Sequence, residues 1–101
     1  MRLAVTVVPT SPTQADVRFA IVGTAGLPTF LALGVAGPGF VLAPFGGVFL
    51  DLGTPIVVMS MPPLPSNHVV AAGRAGFAWT AQAIALTVGG GMTSNSAMFG
   101  L

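Results

Sequence analysis

Glycine and proline punctuate this chain so often that its apolar segments are too short, and too often interrupted, to coil. Fourteen glycines and nine prolines fall among 101 residues, and no segment keeps a helical apolar period over three turns without one of them inside it. What remains are oily runs of strand length between turn residues. A chain divided in this way is expected to fold as an all-β protein, an antiparallel β-sandwich of about seven or eight strands in a single domain spanning residues 1–101.

The individual runs support that class. Leu3, Val5 and Val7 share one face of a first strand over 2–8, with Ala4 and Thr6 on the other, and Pro9 ends it. Val17, Phe19 and Ile21 alternate with Arg18 and Ala20, which places the arginine outward beside Asp16; an exposed pair there contributes ~0–1 kcal/mol. Thr29–Val35 is apolar on both faces, as suits a strand in the middle of a packed sheet. Residues 36–47 read as the longest irregular stretch, with Phe40 and Phe45 folded over an open end of the core. Residues 48–52 and 55–61 read as two further strands, with Asp51 facing outward or capping the turn between them. Pro62–Asn67 reads as a rigid turn, and 69–74 as a strand or a single helical turn. The organising segment is the last one, 76–101, where two uncharged strand-length runs flank Gly89, Gly90 and Gly91 as a hairpin.

Charge bears on partners. Only Arg2, Asp16, Arg18, Asp51 and Arg74 are charged, roughly a fifth of the usual share. So few ions do little to hold copies apart, which predicts a surface covered by identical copies or by the remainder of a larger precursor. The uncharged ends, Leu3–Val8 and Ala97–Leu101, are the edges expected to pair with another chain. With no lysine there is no basic stripe for phosphates, so nucleic acid is not expected as a partner. The absence of cysteine excludes disulfides and thiolate metal sites. A mean hydropathy of +0.92 raises the question of a membrane, but prolines break the first two long uncharged stretches, at ~3 kcal/mol each in a helix interior. The third holds Gln82, the glycine triplet and the polar run 93–96. Spanning helices are therefore not expected. Nor is the short run 3–8 a secretory signal, so any export address would lie outside this chain.

No catalytic constellation emerges, and the chain is expected not to be an enzyme. The single histidine, His68, reads as a turn residue without the second ligand a metal site needs. Ser60, Ser66, Ser94 and Ser96 lack an identifiable base, and two aspartates do not define a carboxylate pair. Met59 and Met61 share a strand face and read as core or interface filler. Gln82 and Asn95 stand out, because an amide inside an apolar strand must find hydrogen-bond partners; the backbone of a neighbouring loop is the simplest source, and fixing register the expected role. Trp79 is expected to be buried with its indole N–H satisfied. No cofactor or metal is implied.

Three short words, Pro28-Thr-Phe-Leu-Ala-Leu-Gly34, Phe77-Ala-Trp-Thr-Ala-Gln-Ala83 and Ser94-Asn-Ser-Ala97, occur in an order and spacing that resembles a small all-β domain. That domain stands at the C-terminal ends of predicted exported bacterial proteins of unassigned function. The resemblance covers residues 17–101. It implies an appended β module in an extracellular or cell-surface location, with no known reaction. The mid-chain cysteine of many relatives is absent here, and the turn at 89–91 is shorter than theirs. Two functions follow as expectations. The favoured one is a structural or assembly module that packs on a larger precursor or on identical copies, as an oligomer or fibre. The alternative is an extracellular carbohydrate-type binding module using Trp79, Phe40 or Phe45 as ligand or interface residues.

Overall fold

The computed structural model describes every residue from Met1 to Leu101. It contains nine strands: β1 (Arg2–Pro9), β2 (Gln14–Val22), β3 (Thr29–Gly34), β4 (Ala36–Leu42), β5 (Gly46–Leu50), β6 (Val57–Met61), β7 (Ser66–Gly73), β8 (Ala78–Thr87) and β9 (Gly90–Gly100). All pairings are antiparallel. They form a three-stranded sheet in the order β1-β2-β7, a four-stranded sheet in the order β6-β3-β8-β9, and a ribbon of β4 and β5. No helix is long and apolar enough to cross a membrane.

Period-two alternation builds the core between the two larger sheets. Leu3, Val17, Phe19 and Ile21 point inward from the three-stranded sheet and meet Leu31, Ala81, Ala83 and Ala85 from the four-stranded one. Large side chains on one sheet thus sit over small ones on the other, which lets the layers approach closely. Each large side chain buried this way contributes about 1.5–3 kcal/mol. The Phe19 and Phe99 rings add an edge-to-face contact, with centroids 5.8 Å apart and planes at 79°.

The other face of the four-stranded sheet is covered as well, which explains why β3 is apolar on both sides. Ala32, on the face of β3 opposite Leu31, packs with Val48 and Leu50 of the ribbon. The ribbon is therefore a third, partial layer. Residues 36–47 are not an irregular loop. Alternate glycines and Pro38 hide the strand pattern in the sequence, and a register shift between Ala36 and Phe40 bends the strand at that point. With a Cβ, Gly37 would stand 2.9 Å from the backbone of Leu50 and Asp51, so the two strands approach this closely only because one of them carries no side chain here.

Two further expectations are corrected. Of the two readings of 69–74 the strand holds, as part of β7, which begins at Ser66, ends at Gly73 and carries His68 directly across from Phe19; His68 is a strand residue, not a turn residue. Gly90 and Gly91 lie in β9, and the turn itself is Val88–Gly89. β1 and β9 are edge strands, as β6 and β7 are, each paired through its backbone on one side only, and the Asn95 side chain on β9 is hydrogen-bonded to Leu3 on β1. Asp51 caps its turn as expected, its Oδ1 accepting from the Gly53 amide at 2.9 Å.

Candidate functional site

The chemistry-bearing side chains that the fold brings together lie along β8 and β9, and they join layers. In the middle of β8, Gln82 is 2 % exposed and its amide is fully engaged. Its Nε2 donates to the Gly47 carbonyl at 2.7 Å and to the Ser94 carbonyl at 2.9 Å, while its Oε1 accepts from the Phe49 amide at 3.0 Å. Gly47 and Phe49 belong to β5. One side chain therefore continues the backbone ladder from the sheet to the ribbon, and Gln82 sets how the ribbon is docked. The partners are strand backbone rather than the loop that the sequence suggests.

Asn95 does the same on the opposite side. Its Oδ1 accepts from the Leu3 amide at 2.9 Å and its Nδ2 donates to the Leu3 carbonyl at 3.0 Å, so the carboxamide imitates a peptide group paired with β1. It reaches β1 because β9 bulges. Gln82 pairs with Ser96 and Ile84 with Thr93, leaving Ser94 and Asn95 opposite the single residue Ala83. The Ser94 hydroxyl fills the break: Oγ accepts from the Ala83 amide at 2.9 Å and donates to the Asn95 carbonyl at 2.7 Å. Sequence reasoning missed Ser94. The signal that finds it is parity, since the inward residues of β9 pass from even (Met92) to odd (Ala97, Phe99), a change that requires one extra residue. Asn95→Ala is expected to cost about 1–2 kcal/mol and to release β1. Amide exchange at Leu3 checks this, with faster exchange there than in β2.

The glycine pair is a landing surface. A Cβ on Gly90 would collide with Pro44, and one on Gly91 would collide with the Phe45 ring and lie 2.8 Å from the Ala85 carbonyl oxygen. Pro44 and Phe45 form the tip of the ribbon between β4 and β5. Phe45 is half-buried there, over the outer sheet face rather than the open end of the core, whereas Phe40 lies on β4 and is 40 % exposed. Beside the ribbon runs an uncharged trough in two compartments of about 220 and 250 Å³, both walled by Leu42, Val48, Val58 and Ile84.

Trp79 departs from expectation. It is half-buried at the end of β8 and its indole N–H makes no hydrogen bond within the chain. Ser66 and His68 share the inner face of β7, yet the Ser66 hydroxyl is buried without a partner. No group of three or more metal-ligating side chains converges. Comparison with protein-family models, with curated proteins and with solved structures returned no match.

Proposed function

We propose that this protein is a non-enzymatic assembly module that packs on identical copies through the ribbon-bearing face and the β6 edge. The observation that carries the proposal is an asymmetry of charge. Arg2, Asp16 and Arg18 all lie on the outer side of the three-stranded sheet, with Thr6 and Asn67 beside them. The opposite side of the molecule has only Asp51, at the end of β5 and engaged with its own turn. There, Val41, Leu42, Leu52 and Val58 are between 42 and 80 % exposed.

The β6 edge concentrates this character. Val57-Val-Met-Ser-Met61 pairs with β3 on one side and presents unpaired backbone groups on the other, with none of the lysines or inward charges that blunt edge strands. A second β6, antiparallel about a two-fold axis, extends the sheet and brings two apolar troughs together. A standard interface takes ~800 Å² from each partner, about a seventh of the 5537 Å² surface of this chain; the edge and the trough together offer a patch of that kind. The resemblance to C-terminal domains of exported proteins supports an extracellular or cell-surface setting, where such a module would join copies of whatever precedes it.

Sedimentation equilibrium at micromolar concentration tests the proposal. The expected result is a dimer or larger species that Val58→Lys converts to monomer with its β spectrum unchanged, while Asn67→Lys on the β7 edge leaves association intact. A wild-type monomer throughout the range contradicts it.

A further inference from the structure

Between the two large sheets, at the end where β2 and β7 face the ends of β3, β8 and β9, the core is not filled. A cavity of about 150 Å³ remains, open to solvent on one side, and every residue lining it is hydrophobic. Val17, Val70 and Ala72 face Leu33, Trp79 and Phe99 across it. Its origin is a reversal of the packing rule seen in the rest of the core. Elsewhere β8 contributes alanines beneath large residues of β1 and β2; at this end β8 contributes Trp79, and β7 answers with Val70 and Ala72, which are too small to close the gap.

An apolar cavity of about this volume has room for a guest of about the size of benzene. We infer that the cavity is a binding site for an uncharged, apolar monocyclic aromatic molecule. The lining is entirely hydrophobic and has no charged group, amide or hydroxyl to offer a carboxylate or a polyol, while the Phe19, Trp79 and Phe99 side chains along it present ring faces and edges to an aromatic guest. The inference is independent of the assembly proposal, because the cavity lies between the sheets and the assembly face lies on the other side of the four-stranded sheet.

Trp79 is the only tryptophan and reports occupancy directly. Titration with toluene and with benzene is expected to give a saturable change in its emission and a rise in melting temperature, and glucose to give neither. Ala72→Phe fills the cavity and is expected to weaken both responses at least tenfold. Should that variant fail to fold, methyl NMR of the wild-type protein decides: added toluene is expected to shift the Val70 and Leu33 methyls and to leave those of Val58 and Ile84 in place. No saturable response up to the solubility limit of toluene overturns the inference, as does an equal response in Ala72→Phe or a shift confined to Val58 and Ile84, which would put the guest in the outer trough.

Discussion

Replacing Gly91 with alanine is expected to lift the ribbon tip off the sheet and to cost about 2–3 kcal/mol, at the upper end for an overpacked site. The new Cβ meets two obstacles of different kinds. One is the Phe45 ring, which can rotate or withdraw; the other is the Ala85 carbonyl oxygen at 2.8 Å, which belongs to the neighbouring strand and cannot yield without opening the ladder. A double variant separates them. Phe45→Ala should relieve part of the penalty of Gly91→Ala, so the two changes together cost less than their sum. Urea denaturation read by far-UV circular dichroism checks this, and strict additivity would mean that the tip does not rest on the glycine.

Gln82→Ala is expected to do more damage, about 3–5 kcal/mol, because it opens a cavity and strands two carbonyls and an amide that now share one carboxamide. For a domain of this length that is a large part of the whole stability. Gln82→Glu isolates the hydrogen bonds from the shape. Its carboxylate would face the Gly47 and Ser94 carbonyls, to which Nε2 now donates, so folding favours the protonated acid and raises its pKa. The sign follows: stability is fully present below the unfolded value near ~4.3 and is lost as pH rises through the folded value. Melting temperatures of Gln82→Glu should therefore be higher at acidic than at neutral pH relative to the wild type.

These two sites also mark where the sequence could and could not be read. Alternation located the inward faces of β1 and β2 and the two-sided burial of β3, because half-buried strands leave a period-two trace whatever they pack against. Gln82 and Asn95 were legible as amides that need partners inside apolar runs. Who those partners are was not, since a carboxamide bonds equally well to a loop or to a strand, and only the three-dimensional placement of Leu3, Gly47 and Phe49 decides. The ribbon was hidden for a physical reason. Its strands contain Gly37, Gly39, Gly46 and Gly47, and residues without side chains leave no alternation to detect. The same applies to Gly90 and Gly91, whose turn-like composition serves close approach by Pro44 and Phe45. Trp79 read as a buried indole because its partner positions were unknown; opposite Val70 and Ala72 it stands beside a void instead.

In the proposed assembly, copies join through the free, uncharged β6 edge, and amide exchange on β6 is the most direct test. The β6 amides that do not bond to β3 should exchange quickly in dilute solution and become protected as concentration rises, while exposed connection amides such as Thr24 and Gly89 keep one rate throughout. Exchange on β6 that is the same at every concentration, in a sample shown to associate, would contradict the assignment of that edge.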